Sequence, residues 1–109
     1  IAALYADRYL IDTHTAVAAH VLQQYRAETG DDGVAMFAST ASPYKFCDSV
    51  LEAIGETPVA DSVERIAQLE AVSGVKAPRR LAELEGKQPR FDGVTEKEKM
   101  EDIVLNFLR

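Results

Sequence analysis

The chain has 109 residues, enough for one domain of ordinary size and too few for two, so we expect residues 1–109 to form a single unit. Its hydrophobic content of 47% suits a globular protein, yet no run approaches the roughly 20 apolar residues that cross a bilayer. The net charge of −6 disfavours nucleic-acid binding, because an acidic surface repels a polyanion.

The first predicted elements are a short extended segment and a long helix. Tyr9–Ile11 is the best candidate for a strand near residues 9–11. Apolar residues then recur near helical spacing from about Thr13 to Thr29, and Gly30 follows where glycine commonly ends a helix. Three side chains at the entrance of this helix are suited to capping its free N–H groups: Asp12, Thr13 and Thr15.

An apolar run followed by hydroxyls is the most informative feature of the chain. The run Val34–Ala38 predicts a core strand over about residues 34–39, buried on both faces of a parallel sheet. Ser39, Thr40 and Ser42 follow at its carboxyl end, and ligands bind at that end of the strands in open α/β sheets. The alternative is that these hydroxyls only satisfy backbone groups in a turn and a helix cap.

Helices are predicted for most of the remaining chain. Ser42 as N-cap, with Pro43 at the first helical position, begins a helix that continues to Ile54. Three shorter helices are predicted after it, starting near Asp61, Pro78 and Thr95. The last of them carries an apolar stripe: Met100, Ile103, Val104, Phe107 and Leu108. The predicted fold class is therefore α/β and dominated by helices, with one core strand flanked by them.

The predicted strand lacks obvious neighbours. A strand inside a parallel sheet needs adjacent strands for its backbone hydrogen bonds, and Tyr9–Ile11 is the best further candidate. Unpaired strand edges recruit other chains, so we expect the isolated chain to associate with itself through Val34–Ala38.

Neither the histidines nor the cysteine predict a reactive centre. His14 and His20 are six positions apart, which is not the spacing of a helical metal pair, so no metal site is predicted. Cys47 is alone and is expected to pack as a small apolar residue. With no signal peptide visible, we expect a location in the reducing cytoplasm. Lys45, close to the hydroxyls, is interpreted as a solvated side chain.

Two segments together resemble the carboxyl-terminal part of bacterial threonine synthase. Tyr9–Val17 reads YLIDTHTAV, and the family has a similar Asp-Thr-His-Thr-Ala or Asp-Pro-His-Thr-Ala segment that opens a helix. Ala38–Phe46 reads ASTASPYKF, and the family has a similar Ser-Thr-Ala-His-Pro-x-Lys-Phe or Ser-Thr-Ala-Ser-Pro-x-Lys-Phe segment after a core strand. The resemblance covers nearly the whole chain but only the last part of the enzyme.

The resemblance implies a pyridoxal-phosphate enzyme of the tryptophan-synthase-like fold (fold type II), here represented by a carboxyl-terminal fragment. Such an enzyme converts O-phospho-L-homoserine and water to L-threonine and phosphate. In this fold a hydroxyl commonly contacts the pyridine nitrogen of the cofactor, which leaves that nitrogen largely unprotonated. Ser39 or Thr40 would have this role here, and Thr40 is the first choice.

The chain also departs from the family. The family's Schiff-base lysine lies in a Ser-Phe-Lys-Asp context, and the lysines of this chain lack it: Lys45, Lys76, Lys87, Lys97 and Lys99. A glycine-rich phosphate cup is absent as well. We therefore expect no catalytic residue in this chain, and an isolated fragment that is inactive and holds no cofactor. Two alternatives stay open, an autonomous acidic helical interaction module and a related pyridoxal-phosphate lyase that acts on another amino acid.

Overall fold

A computed structural model describes residues 1–84, 86–88 and 90–108 of the chain. Within these ranges the secondary structure is helical. The elements in chain order are α1 (Ala2–Ala6), α2 (Thr13–Thr29), a 3₁₀ turn (Pro43–Lys45), α3 (Cys47–Ala53), α4 (Glu64–Ser73), α5 (Arg79–Ala82), a second 3₁₀ turn (Lys97–Lys99) and α6 (Met100–Phe107).

Helix α2 has the bounds that the sequence predicts. Asp12 is its N-cap, with extended backbone, and the Asp12 carboxylate accepts hydrogen bonds from the first free N–H groups. Gly30 ends the helix in the left-handed conformation (φ 71°), which glycine adopts without steric cost, and its N–H donates to the carbonyl of Arg26.

The hydrophobic core lies between α3 and α4. It consists of six buried side chains: Tyr44, Cys47, Val50, Leu51, Ile66 and Leu69. Ser42 caps the turn that carries Tyr44, accepting from the Tyr44 N–H at 3.3 Å. The helix predicted over Pro43–Ile54 is divided at Phe46, whose backbone leaves the helical region (φ −133°) between the 3₁₀ turn and α3.

The start of α4 is stabilised by Asp61, as its sequence predicts. One carboxylate oxygen of Asp61 accepts from the N–H groups of Val63 (2.7 Å) and Glu64 (2.9 Å). Arg65, on the first turn, donates to the carbonyl of Val59 at 2.7 Å, so α4 also holds the segment that precedes it. Gly74 ends the helix in the left-handed conformation.

The predicted α/β fold with a core strand over residues 34–39 is wrong, because the part of the chain that the structure describes contains no strand. Val34 and Met36 are 101% and 95% exposed, and no neighbouring strand within the described ranges supplies backbone partners. Tyr9–Ile11, the second candidate strand, is a connection between α1 and α2, in which Ile11 is buried. An apolar run alone is not enough to predict a strand, because a strand also needs a neighbouring strand for its backbone hydrogen bonds.

Helix α6 is exposed along its length. The apolar stripe predicted there is present, but its members remain half exposed or more, from 50% at Ile103 to 79% at Phe107. Thr95, near which this helix was predicted to start, does not cap it, since the 3₁₀ turn at Lys97–Lys99 that precedes α6 has no side-chain cap. No helix among the described residues is long and apolar enough to span a bilayer.

The molecule is elongated, with principal extents of 59 × 32 × 22 Å. Its radius of gyration of 18.8 Å exceeds the roughly 13 Å of a compact chain of this length. Helix α2 contributes to this shape. It buries only Thr15, and Val17, Val21 and Tyr25 are about half exposed or more.

Candidate functional site

The structure brings together the two segments that carry the sequence motifs. The hydroxyl oxygens of Thr15, on the first turn of α2, and Ser39 lie 2.9 Å apart. One residue before Thr15, the ring of His14 lies 5.0 Å from the ring of Phe46, at a tilt of 50°. The start of α2 and residues 39–46 therefore form one site, although 24 residues separate Thr15 from Ser39.

Asp12 is the centre of this site. Its side chain is fully buried, which is unusual for a carboxylate and requires that its oxygens be hydrogen-bonded. Oδ1 accepts from the N–H groups of His14 (2.8 Å) and Thr15 (3.2 Å), and Oδ2 accepts from the hydroxyl of Thr15. Both oxygens of the buried carboxylate are thus satisfied by groups of α2.

These hydrogen bonds determine the charge state of Asp12. Burial by itself raises the pKa of the carboxyl, because a charged group loses its hydration. The hydrogen bonds from the Thr15 hydroxyl and from the N–H groups of Thr15 and His14 stabilise the charged form and outweigh this effect, so the pKa of Asp12 lies below its ordinary value. Asp12 is therefore ionised at neutral pH.

The three predicted hydroxyls have different surroundings. Ser42 caps the 3₁₀ turn, as the turn-and-cap interpretation predicts for it. Ser39 is bonded to Thr15 at the start of α2. Thr40 is exposed, and its hydroxyl has no hydrogen-bond partner among the residues described here. We call Ser39–Ser42 the hydroxyl loop.

The two histidines lie apart from one another along α2. The side chain of His14 is 69% exposed, with Nδ1 3.5 Å from Oδ1 of Asp12, and His20 is exposed further along the helix. In the described ranges, no three His, Cys, Asp or Glu side chains are grouped so that they could hold a metal ion.

Cys47 packs as the sequence predicts. It is buried in the core, its thiol donates to the carbonyl of Tyr44 at 3.2 Å, and burial raises the pKa of the thiol. Lys45, which precedes it by two residues, is exposed on the 3₁₀ turn and is the nearest lysine in sequence to the hydroxyl loop.

Sequence reasoning identified Asp12 as a helix cap but missed its connection to the hydroxyl loop. The available signal was the spacing of Asp12 and Thr15. Three residues separate an N-cap from the position whose N–H it accepts, so a hydroxyl there can also reach the carboxylate. The further contact of Thr15 with Ser39 is tertiary and has no signature in local sequence.

Comparisons with known proteins agree with the motifs. The family described as "Threonine synthase, C-terminal" matches residues 15–104. Threonine synthase of Corynebacterium glutamicum is 39% identical over 75 residues, which are 69% of this chain and 14% of that protein. No solved structure matches the chain. The resemblance drawn from the two motifs is confirmed, and the chain belongs to the family of threonine synthase carboxyl-terminal regions.

Proposed function

We propose that these residues form the carboxyl-terminal part of a threonine synthase that converts O-phospho-L-homoserine and water to L-threonine and phosphate with pyridoxal phosphate. The family match over residues 15–104 supports the enzyme. The observation that carries the site is the 2.9 Å contact between Thr15 and Ser39, which joins both motif segments and leaves Thr40 exposed beside them.

The donor chemistry of the hydroxyl loop fits one edge of the cofactor, the pyridine nitrogen. Ser39 and Thr40 are both exposed, and a hydroxyl is a suitable donor to an unprotonated ring nitrogen. The nearby carboxylate, Asp12, is fully buried and hydrogen-bonded within α2, so it is not available to hold a protonated ring nitrogen. When bound, the cofactor would supply an electron sink for the reacting carbon of the substrate.

We propose that the remaining cofactor contacts, including the Schiff-base lysine and the phosphate cup, lie in parts of the enzyme outside these 109 residues. The lysines of the chain lack the family's context, and Lys45, the nearest to the hydroxyl loop in sequence, is exposed. We accordingly expect the isolated chain to be inactive. A cytoplasmic location is part of the proposal, supported by the single buried thiol.

The proposal for the whole enzyme is tested by phosphate release from O-phospho-L-homoserine, measured with the full-length protein in its cofactor-bound form. Release of phosphate together with L-threonine is the expected result. A protein that holds its cofactor but releases no phosphate would instead be a related lyase with another amino acid as substrate.

The inactivity of the isolated chain has its own test. The purified 109 residues are mixed with pyridoxal phosphate and borohydride, and the product is analysed by mass spectrometry. We expect slow, scattered labelling of several surface lysines. Stoichiometric labelling of one lysine would show that the chain attaches the cofactor by itself.

A further inference from the structure

Three side chains form a hydrogen-bonded series that runs from the buried start of α2 to the exposed hydroxyl loop: Asp12, Thr15 and Ser39. Helix capping explains only part of it, because the two N–H groups of α2 bond to Oδ1 of Asp12. The second carboxylate oxygen bonds to the hydroxyl of Thr15, and the same hydroxyl oxygen contacts Ser39. We call this series the Asp12–Thr15–Ser39 chain.

The direction of each hydrogen bond follows from the number of protons available. An ionised carboxylate has no proton to donate, so in its contact with Asp12 the hydroxyl of Thr15 must be the donor. A hydroxyl has one proton, and that of Thr15 is thereby used. Its contact with Ser39 then requires Ser39 to donate and Thr15 to accept.

This direction decides which hydroxyl can donate to a ligand above the loop. The proton of Ser39 points toward Thr15, so the exposed side of the Ser39 oxygen can only accept. Thr40 is exposed and keeps its proton free, within the part of the chain that the structure describes. An unprotonated ring nitrogen accepts a hydrogen bond and cannot donate one.

We propose that Asp12 and Thr15 are positioning residues that turn the proton of Ser39 away from the cofactor and so make Thr40 the donor to the ring nitrogen. The inference rests on the proposed function, and it adds two residues that do not touch the cofactor. Ser39 and Thr40 are adjacent and chemically similar, yet toward the cofactor Ser39 can only accept a hydrogen bond and Thr40 can donate one. This difference is the physical reason for assigning Thr40 to the ring nitrogen.

The isosteric variant Asp12→Asn reverses this series. The side-chain oxygen of asparagine replaces Oδ1 and keeps both bonds to the N–H groups of α2, and asparagine is as good an N-cap as aspartate. Its NH₂ group replaces Oδ2 and donates to Thr15. Thr15 then donates to Ser39, and the proton of Ser39 is released toward the ligand.

The experiment uses the full-length enzyme reconstituted with pyridoxal phosphate labelled with nitrogen-15 in the ring. The ring-nitrogen chemical shift reports whether a hydrogen bond is donated to it, and the dissociation constant of the cofactor is measured in parallel. We expect Thr40→Val to move the shift toward that of a nitrogen without a donor and to weaken cofactor binding on the order of tenfold. Ser39→Ala should leave the ring-nitrogen shift in place.

The decisive variant is Asp12→Asn combined with Thr40→Val. We expect it to recover part of the lost shift and affinity, because Ser39 can now donate. Asp61→Asn in the same Thr40→Val background is the matched control, since one carboxylate oxygen of Asp61 likewise accepts from two backbone N–H groups at the start of a helix, and it should recover nothing. Thr15→Val with Thr40→Val tests the same point if the asparagine variant does not fold, because removing the Thr15 hydroxyl also frees the proton of Ser39.

Two results would overturn the inference. One is loss of the ring-nitrogen hydrogen bond in Ser39→Ala but not in Thr40→Val. The other is a folded double variant with the same shift and affinity as Thr40→Val alone. Failure of the proposed function is separate, since the unmodified enzyme would then bind no labelled cofactor or would release no phosphate from O-phospho-L-homoserine.

Discussion

Thr15 and Ser39 meet at 2.9 Å between their hydroxyl oxygens, and Thr15 bonds in turn to the fully buried carboxylate of Asp12. A buried charge is tolerated only when its partners remain in place. The position of the exposed hydroxyl loop is therefore linked to the stability of the first turn of α2.

Replacing Asp12 by alanine should destabilise the chain. The substitution removes the N-cap of α2 and leaves the N–H groups of His14 and Thr15 without their acceptor. We expect a loss of about 1 to 2 kcal/mol in the free energy of unfolding, measured by urea denaturation followed by circular dichroism. Asp12→Asn, which keeps the acceptor, is the control and should lose much less. Equal losses in both variants would contradict the capping role.

Asp12 should also make stability depend on pH. Its pKa in the folded chain lies below the ordinary value of 3.8, so the folded state favours the ionised form. The resulting stabilisation is fully present above the pKa of the unfolded chain and is lost as the pH falls through the lower, folded-state pKa. We expect the free energy of unfolding to decrease below about pH 4, and to decrease less in Asp12→Asn.

Two other carboxylates contribute to the same acid range, so the comparison with Asp12→Asn is essential. A hydrogen bond from the backbone N–H of Gly33 lowers the pKa of Asp31. Hydrogen bonds from the backbone N–H groups of Glu64 and Val63 lower the pKa of Asp61. Both remain in the variant. Identical pH profiles for the unmodified chain and Asp12→Asn would show that Asp12 does not favour its ionised form on folding.

Cys47 should be protected from thiol reagents in the folded chain. It is buried beside Tyr44 and Leu51, and burial raises the pKa of its thiol, so little thiolate forms at pH 8. We expect labelling by a disulfide reagent to be slow and to accelerate strongly in denaturant. Labelling of the native chain at the rate of an unfolded control peptide would contradict the described core.

The isolated chain is expected to associate with itself, now through the exposed stripe of α6 instead of a strand edge. Ile103, Val104 and Phe107 are 50%, 55% and 79% exposed on one short helix. Sedimentation velocity should show a concentration-dependent dimer that Ile103→Glu weakens. Val94→Glu is the matched control, because Val94 is 97% exposed but lies outside the helix. A monomer at all concentrations would refute the expectation.

Local signals in the sequence predicted α2 well. An N-cap at Asp12 and a left-handed glycine at Gly30 act within a few residues of the helix, so both ends could be placed. The segment Val34–Ala38 could not be assigned in the same way. A buried strand and an exposed apolar segment give the same run of residues, and the difference depends on neighbouring strands, which the described part of the chain does not provide.

The candidate site could also be predicted only in part, because local sequence patterns identify residues but not the contacts between distant segments. The motif segments identified the hydroxyls of Ser39 and Thr40, and the family match confirms the family they indicate. The buried state of Asp12 and its connection to Ser39 arise from a contact across 24 residues, which no local pattern reports. The capping role of Ser42 was predicted from the proline that follows it and is confirmed, whereas Ser39 and Thr40 could be told apart only in the structure.

Helix α2 is hydrogen-bonded to both ends of the segment Gly33–Ser39, so the helix sets the distance that this segment has to span. The Arg26 guanidinium donates to the carbonyl of Gly33 at 2.7 Å, and Thr15 contacts Ser39. Eleven helical residues from Thr15 to Arg26 extend about 17 Å, and six residues from Gly33 to Ser39 reach at most about 20 Å. The segment thus has little slack. Substitutions within Val34–Ala38 leave this span intact, whereas deleting a single residue would pull the hydroxyl loop along the helix.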